Sequence, residues 1–228
     1  HLNAHLKPYG LWYPVDVSTS AQATLGGMAG NNSCGSRSIA YGNMVHNVLG
    51  AEMLLSNGQK LSLGNYANSS GCARGLGDYV RNMASQLRPE IEAQWPKVLR
   101  RVGGYNLDIF NNQSEKPYTQ DGSVNLAHLF IGSEGTLGVT QSLTLRLSEL
   151  PKAKVLGVVN FASFHKAMDS AQHIVKLGPS AVELVDGTMI GLSLQNPAFA
   201  PTIRTALIGQ PEAILLVEFS GSNKADLL

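Results

Sequence analysis

The sequence is poor in cysteine and in charge. Among its 228 residues only Cys34 and Cys72 are cysteines, so it holds neither a disulfide framework nor a four-cysteine metal or iron–sulfur set. Charged residues make up 14% of the chain, against a usual share of about 25%. The formal net charge at pH 7 is +1. A near-neutral chain has no electrostatic attraction for nucleic acid or for an anionic membrane, so we expect neither as a partner.

Long apolar runs and targeting signals are missing as well. No run reaches the ~18–20 apolar residues of a membrane span, so we expect no transmembrane segment. The first ten residues lack the basic and apolar regions of a signal peptide. The chain does not start with methionine, and residues 224–228 are typical of the beginning of a helix. We therefore expect an internal piece of a longer cytoplasmic protein, with peripheral attachment to a membrane left open.

The common catalytic and metal-binding constellations are not recognisable in the sequence. His1 and His5 lie four residues apart, but they stand at the start of the chain close to Pro8. The other histidines have no acid or cysteine at the spacing of a metal site. No Ser/His/Asp set and no pair of carboxylates can be assembled. The sequence therefore predicts no metal site and leaves the catalytic residues unassigned.

Glycine is the residue that the sequence has in excess, with 24 in total. The first glycine-rich tract covers residues 24–38 and reads TLGGMAGNNSCGSRS. Glycine lets the backbone come close to a bulky ligand and turn its N–H groups towards an anion, while Asn, Ser and Thr add neutral donors and acceptors. A flexible linker has a similar composition. However, the tract and its flank contain Leu25, Met28 and Ile39, which a solvated linker does not need.

Two further glycine-containing segments are weaker signals by themselves. The second tract, GSEGTLG at residues 132–138, does not follow the dinucleotide fingerprint, and no βαβ unit surrounds it. A tight turn or a bulge before a strand explains it equally well. The segment of residues 100–108 predicts a helix end, because Arg100 and Arg101 complement the helix dipole and Gly103 is a suitable cap.

Hydrophobic periodicity predicts a mixture of helices and strands before residue 150. Asn57-Gly58 between two apolar segments favours a hairpin with a type I′ turn, in which both residues take positive φ. Pro89 interrupts a helical pattern and suits the first turn of a second helix. The expected elements are a hairpin over residues 48–63, helix over 77–101, a loop over 103–126 with a polar insertion around 111–121, and a strand over 139–147.

The pattern changes after Pro151. We expect a buried strand over residues 155–161, an amphipathic helix over 164–177 that ends at Gly178, and strands over 181–185 and 213–219. The order strand, helix, strand, strand is typical of the first part of a ferredoxin-like α+β unit. We therefore expect a domain boundary near residue 150.

The glycine tracts become informative when they are taken together and in order. Residues 13–58 contain YPVD, ATLGG, NNSCG, YG and VLGAEMLLSNG in succession, and residues 129–139 read LFIGSEGTLGV. This succession resembles the second half of the FAD-binding domain of the vanillyl-alcohol-oxidase superfamily, the PCMH-type flavoproteins. It is most similar to the FAD-linked oxidases that act on D-2-hydroxy acids, in the long bacterial forms that carry an iron–sulfur C-terminal half.

The resemblance implies an α+β fold with two parts. Residues 1–150 would form the second, incomplete subdomain of a PCMH-type FAD-binding domain, and residues 151–228 the beginning of a ferredoxin-like substrate cap. The first FAD subdomain, the catalytic base and any metal ligands would lie outside residues 1–228, so these residues alone are expected to retain FAD weakly or not at all. The residues that the resemblance implies as FAD-binding are Ser18, Thr24, Gly26, Gly27, Asn31, Asn32, Ser33, Cys34, Gly35, Glu134, Gly135, Thr136, Gly138 and Val139.

The resemblance also implies a reaction. An FAD-dependent dehydrogenase would oxidise a D-2-hydroxy acid such as D-lactate, glycolate or D-2-hydroxyglutarate by hydride transfer to flavin N5. Electrons would leave to a downstream acceptor, for which a [4Fe–4S] centre in another part of the protein is a candidate, and homo-oligomerisation is left open. Two alternatives remain: another FAD enzyme of the same fold (aryl-alcohol oxidase or alkyl-glycerone-phosphate synthase), or a flavin-binding module without catalytic activity.

Overall fold

A computed structural model describes residues 1–111 and 115–228 of the chain. Residues 112–114, which belong to the expected polar insertion, lie outside the described residues. The chain separates into two compact units, residues 1–149 and residues 150–228. No helix of the described residues is long and apolar enough to cross a membrane.

The first unit combines α-helices with a three-stranded antiparallel sheet of order β3-β2-β4 and a short β1-β5 pair. Its described α-helices and strands, in chain order, are α1 (Leu2–Leu6), β1 (Leu11–Trp12), α2 (Leu25–Asn31), α3 (Ser38–Tyr41), β2 (Val48–Leu54), β3 (Lys60–Leu63), α4 (Gly71–Gln86), α5 (Arg88–Gln94), β4 (Val139–Leu145) and β5 (Ser148–Glu149). The mixture of helices and strands confirms the α+β class expected from the sequence.

The core of the first unit lies between the sheet and its flanking helices. In β3, Leu61 and Leu63 are buried while their neighbours are exposed, which is the alternation of a strand with one solvated face. On α4, Val80 and Ala84 repeat at helical spacing on the buried side. Gly77 allows close packing of this helix, because a Cβ there would lie 2.8 Å from the Tyr66 ring.

The predicted hairpin is present as β2 and β3, but its turn is not type I′. The backbone N–H of Gly58 donates to the carbonyl of Leu55, and that of Leu55 donates to Gln59. Within this turn only Gly58 has positive φ, at 81°. This is the pattern of a type I turn followed by a glycine bulge. The side chain of Asn57 stabilises it by accepting from the Gln59 N–H at 3.0 Å.

The predicted helix over residues 77–101 begins earlier and ends earlier than expected. The α4 helix starts at Gly71, and α5 has Pro89 in its first turn as predicted but ends at Gln94. Residues 100–103 are therefore not a helix end, and that prediction is wrong. Trp95 has extended backbone and precedes Pro96, and a residue before proline is disfavoured in the helical region.

The second unit is a three-stranded sheet with three described α-helices. Its elements are β6 (Ala153–Phe161), α6 (Phe164–Ile174), β7 (Ala181–Asp186), α7 (Gly187–Gln195), α8 (Ala200–Ala206) and β8 (Ala213–Gly221). The sheet order is β6-β8-β7, and both outer strands run antiparallel to β8. The strands β6 and β7 are therefore parallel, with α6 between them in sequence and β8 between them in the sheet. This is the split βαβ arrangement of ferredoxin-like units.

One expectation for the second unit is wrong, and two of its helices were not predicted. The strand over residues 155–161 was expected to be buried, but β6 lies at the sheet edge and Leu156 is 58% exposed. A continuous apolar run does not distinguish a central strand from an edge strand. The helices α7 and α8 were not predicted at all.

The core of the second unit is small. The buried apolar residues Ala167, Ala213, Leu215 and Val217 form a cluster in this unit.

Candidate functional site

The first glycine-rich tract forms a helix rather than a loop. Glycine is a poor helix former, which is why the sequence did not predict α2. Thr24 caps the beginning of the helix, where its Oγ1 accepts from the Gly27 N–H at 3.1 Å. Asn32 ends the helix in a left-handed conformation with φ of 50°. Asparagine tolerates this conformation better than most residues, so both ends of the short helix are fixed by side chains suited to them.

The second glycine tract lies directly against α2. The backbone N–H of Glu134 donates to the carbonyl of Gly30, and that of Gly132 donates to Ala29, each at 2.9 Å. The side-chain amide of Asn31 donates to the Glu134 carboxylate at 3.0 Å. The two tracts are about 100 residues apart in sequence, and three hydrogen bonds join them into one structure.

A groove of about 350 Å³ runs between the two tracts. A Cβ atom at Gly26 would meet nothing within 4 Å, so a side chain at this groove position would stand in open space. Gly135 has φ of 78°, a left-handed backbone conformation that favours glycine whatever the space around it. The groove is lined by Gly26, Gly27, Gly30, Phe130, Ser133, Glu134, Gly135, Gly138, Val139 and Thr140.

A second groove, of about 550 Å³, lies on the opposite face of α2. Leu25 and Met28 line it, together with residues of the preceding segment and of the beginning of the chain. Ser20, Ala21 and Ala23 contribute from the stretch between Ser18 and Thr24, two residues that the resemblance implied as FAD-binding. The two grooves flank the same helix, because residues 25 and 28 point away from residues 26, 27 and 30 at helical periodicity.

Asn32 and Gly35 have structural roles that the sequence did not reveal. Asn32 is 1% exposed, and its side chain accepts from the Val45 N–H at 3.0 Å and donates to the Arg101 carbonyl at 3.5 Å. A Cβ at Gly35 would lie 2.1 Å from the carbonyl oxygen of Asp16. Both residues hold the backbone of the tract in place and do not line the groove.

The remaining predicted residues differ in how they relate to the groove. The Ser33 hydroxyl donates to the Asn31 side chain at 3.1 Å and so orients the amide that binds Glu134. Cys34 is half-buried with a free thiol. Ser18 is exposed in a turn and lines neither groove, and Thr24 acts as the cap of α2.

The loop of residues 100–106 contacts both tracts, although the sequence had assigned part of it to a helix end. The Arg100 guanidinium donates to the Gly35 carbonyl at 3.2 Å. The Tyr105 hydroxyl lies 2.8 Å from the Thr136 hydroxyl. The signal available in the sequence was the glycine pair at 103–104, which marks a loop at least as well as a helix cap. Gly30, Phe130 and Ser133 of the groove were also missed, although they lie within or beside the two tracts.

A buried ion pair holds the loop of residues 100–106 in place. Arg101 pairs with the fully buried carboxylate of Asp108 at 2.7 Å, and both residues hydrogen-bond Tyr118. Burial, together with the nearby Asp108 carboxylate, raises the pKa of the Tyr118 hydroxyl. The Asn106 amide donates to the carbonyls of His128 and Ile131, each at 2.9 Å. The loop is therefore held by charged and polar contacts at several points.

His46 and His128 do not supply a base to the groove. Burial lowers the pKa of His46 and that of His128 to about 4. The neutral ring of His128 donates from Nε2 to the Val48 carbonyl at 3.0 Å. His46 Nδ1 accepts from the Asn43 N–H at 3.0 Å. Neither ring lines the groove, where Glu134 is the one ionisable side chain among the described lining residues.

Two family models match the chain. The first, the FAD binding domain, matches residues 1–64, and the second, the C-terminal domain of FAD linked oxidases, matches residues 150–227. The chain belongs to the FAD-linked oxidases. The matched range of the FAD binding domain includes α2 and the first glycine tract. The second tract lies outside both matched ranges, and its position beside α2 comes from the hydrogen bonds described above.

Curated dehydrogenases are similar to the chain over nearly its whole length. It is 30% identical to D-2-hydroxyglutarate dehydrogenase of Pseudomonas putida, over 99% of the chain and 23% of that protein. It is 32% identical to a probable mitochondrial D-lactate dehydrogenase of Danio rerio, over 98% of the chain and 34% of that protein. The chain thus spans between about a quarter and a third of the length of these two relatives.

The similarity to a solved structure supports the fold. Alkyldihydroxyacetonephosphate synthase superposes on 97% of the chain with a TM-score of 0.61 at 19% identity, and the match covers 33% of the synthase chain. At this identity the similarity shows the fold and nothing about substrate. The glycine-lined groove fits the cofactor that the family name implies, because Gly26 leaves open space where a Cβ would stand.

Proposed function

We propose that residues 1–228 are part of an FAD-dependent dehydrogenase that oxidises a D-2-hydroxy acid. The observation that carries the proposal is the joining of the two glycine tracts, through the Gly30–Glu134 and Ala29–Gly132 hydrogen bonds, around one open groove. The D-2-hydroxyglutarate and D-lactate dehydrogenases among the relatives support the substrate class.

The groove residues would hold FAD mainly through backbone and neutral side chains. Glycine at 26, 27, 30 and 135 lets the cofactor approach the backbone, and Phe130 and Val139 add apolar surface that excludes water. When bound, FAD supplies an acceptor for the hydride of the substrate carbon. Asn31 and Thr136 do not line the groove themselves but hydrogen-bond Glu134 and Ser133, which do, and we propose them as further polar contacts. The residues that remain proposed neighbours of the cofactor are Ser18, Thr24, Ser33, Cys34 and Gly138. Asn32 and Gly35 would act by fixing the backbone.

We propose that the base for the substrate hydroxyl proton comes from outside residues 1–228. Glu134, the ionisable residue that lines the groove, already accepts a hydrogen bond from Asn31. The boundary near residue 150 belongs to the same proposal, with residues 1–150 binding FAD and residues 151–228 beginning the substrate cap. A downstream electron acceptor, with a [4Fe–4S] centre as candidate, would complete the reaction elsewhere in the protein.

The direct test uses the full-length protein that contains this chain. We expect the purified protein to show flavin absorbance, and we expect this absorbance to bleach on anaerobic addition of D-2-hydroxyglutarate, D-lactate or glycolate. For the two chiral substrates, L-2-hydroxyglutarate and L-lactate serve as controls that should leave the flavin oxidised. A protein that carries no flavin and cannot be reconstituted with FAD would contradict the proposal.

Further compounds tested on the same protein separate the alternative functions. Bleaching by an aryl alcohol alone would indicate an oxidase of that type. Product formation from an acyl-glycerone phosphate and a fatty alcohol would indicate the synthase reaction. Bound FAD that none of these compounds affects would indicate a flavin-binding module without catalytic activity.

A further inference from the structure

A small cavity in the first unit, here called the cationic cavity, is lined by two basic side chains. It has a volume of about 160 Å³ and shares no described lining residue with either groove beside α2. Lys116 and Arg146 line it together with neutral residues that include Gln120 and Ser148, and the described lining contains no carboxylate. Sites for drug-sized ligands have roughly 300–1,000 Å³, so the cationic cavity suits a small ion.

The walls of the cationic cavity are joined by hydrogen bonds within the first unit. Its lining residues come from three stretches of chain, residues 40–47, 116–120 and 146–148. The Arg146 N–H donates to the Asn47 carbonyl, and the Asn47 side chain donates to the Tyr41 carbonyl, each at 2.9 Å. The Lys116 ammonium donates to the Ala40 carbonyl at 3.1 Å. The first unit therefore forms this cavity from its own residues.

The Arg146 guanidinium is half-buried and carries an unneutralised charge. It makes no side-chain hydrogen bond or ion pair with any residue that the structure describes. The carboxylate of Asp121 lies outside the lining, and its pKa is lowered chiefly by hydrogen bonds from Ser123, with Arg146 contributing least. Partial burial of a charge is unfavourable unless a partner replaces the lost hydration. The five N–H donors of Arg146 therefore remain available to an anion.

Lys116 and His46 are held by backbone groups that bring no negative charge. The Lys116 ammonium donates to the carbonyls of Ile39 and Ala40, and burial lowers its pKa, as expected for an ammonium without a carboxylate beside it. Burial, followed by the charges of Lys116 and Arg146, lowers the pKa of His46 to about 4. Both ring nitrogens of this neutral histidine contact backbone groups. The positive charge of the cavity therefore comes from Lys116 and Arg146.

We propose that the cationic cavity binds a small oxyanion, with Lys116 and Arg146 as its charged ligands. A guanidinium binds two oxygens of a phosphate or a carboxylate through parallel hydrogen bonds, and an ammonium adds a point charge. The oxyanion is either an inorganic ion such as phosphate or the carboxylate of a small organic acid. Because the cavity is separate from the groove assigned to FAD, this site does not depend on the proposed function.

The test measures anion binding to the full-length protein by isothermal titration calorimetry. Phosphate and acetate are the two probes, and NaCl of matched ionic strength is the reference. Excess FAD is present throughout, so that a phosphate does not occupy the cofactor groove. The variants are Arg146→Gln and Lys116→Gln. The control is Arg88→Gln, which removes an exposed guanidinium that pairs with Glu92 on α5, outside the cavity.

Both variants are expected to bind the anion about 10-fold to 100-fold more weakly than the wild type, because each removes a charge-assisted hydrogen bond. Tighter binding of phosphate than of acetate would identify an inorganic oxyanion as the ligand, and the reverse order would identify a carboxylate. Because a ligand of the folded state stabilises it, the preferred anion should raise the melting temperature of the wild type and not that of Arg146→Gln. Arg88→Gln is expected to match the wild type.

The result that would overturn the site is wild-type protein that binds neither anion above the NaCl reference. Binding that Arg146→Gln and Lys116→Gln retain in full, or that Arg88→Gln weakens equally, would overturn it as well. Should Arg146→Gln fail to fold, Lys116→Gln decides, because a folded variant with wild-type affinity contradicts the proposal. Flavin absorbance of the same preparations tests the proposed function separately, so the failure of one proposal is distinguishable from the failure of the other.

Discussion

Gly26 and Gly35 belong to the same glycine-rich tract, but they are glycine for different reasons. At Gly26 a Cβ would stand in open space, on the face of α2 that lines the groove. At Gly35 a Cβ would collide with the Asp16 carbonyl, so no side chain fits without a backbone shift. The first glycine leaves space for a ligand, and the second allows two backbone segments to pack closely.

This difference predicts the effect of Gly26→Ala. Alanine in a helix gains about 0.5–1 kcal/mol over glycine, so the free energy of unfolding should rise slightly. In the full-length protein the added methyl group would occupy the groove, and FAD affinity should fall about tenfold or more. Thermal melting and flavin fluorescence titration measure the two effects.

The matched control for this substitution is Gly75→Ala. Gly75 is exposed within α4, and a Cβ there also meets nothing within 4 Å, but it lies outside the groove. This variant should be similarly stabilised and should bind FAD like the wild type. If both variants bind FAD equally well, the cofactor does not occupy the groove beside α2.

At the scale of elements, periodicity and turn residues predicted structure that is present, whereas helix propensity alone did not predict α2. The α6 helix and the β2–β3 hairpin follow directly from periodicity and turn residues, and both are present. The α2 helix contradicts the low helix propensity of glycine, because its end caps and its packing against the second tract outweigh propensity. The prediction of a type I′ turn for the hairpin is wrong, because Asn-Gly occurs in more than one type of turn.

The observed turn predicts that Gly58→Ala destabilises the first unit. Gly58 has φ of 81° and a Cβ there would meet nothing within 4 Å, so the cost is purely the left-handed backbone. The free energy of unfolding should fall by about 1–2 kcal/mol. Gly64→Ala is the control, because a Cβ there makes only an ordinary contact of 3.9 Å and needs no positive φ. Urea unfolding followed by tryptophan fluorescence measures both variants, and equal effects would contradict the assigned turn.

At the scale of the whole molecule, the two units have very different cores. A cluster of 19 buried apolar residues stabilises the first unit, whereas the corresponding cluster of the second unit has four, among the described residues. Stability rises with the apolar surface removed from water, so the second unit should be the weaker one. The proposed boundary near residue 150 would let the two units unfold separately.

This asymmetry predicts two transitions when residues 1–228 are unfolded in urea. Both tryptophans, Trp12 and Trp95, lie in the first unit, so their fluorescence reports on that unit alone. Circular dichroism reports on helices of both units. The dichroism signal should begin to fall at a lower urea concentration than the fluorescence signal changes. Coincident curves would indicate one cooperative domain and would contradict the proposed boundary.

The sequence by itself determined the class of this protein, because the order of its two glycine tracts carries the family. Local periodicity and turn residues predicted six of the eight described strands and three of the eight described α-helices. The tertiary structure decided which residues of those tracts face the groove. Gly26 and Gly30 face it while Asn32 turns into the core, and Glu134 reaches Asn31 across about 100 residues of chain. Arg100, which the sequence analysis placed at a helix end, lies in a loop and donates to the Gly35 carbonyl. Local patterns depend on neighbours in sequence, whereas these contacts depend on packing between distant segments, which no local pattern encodes.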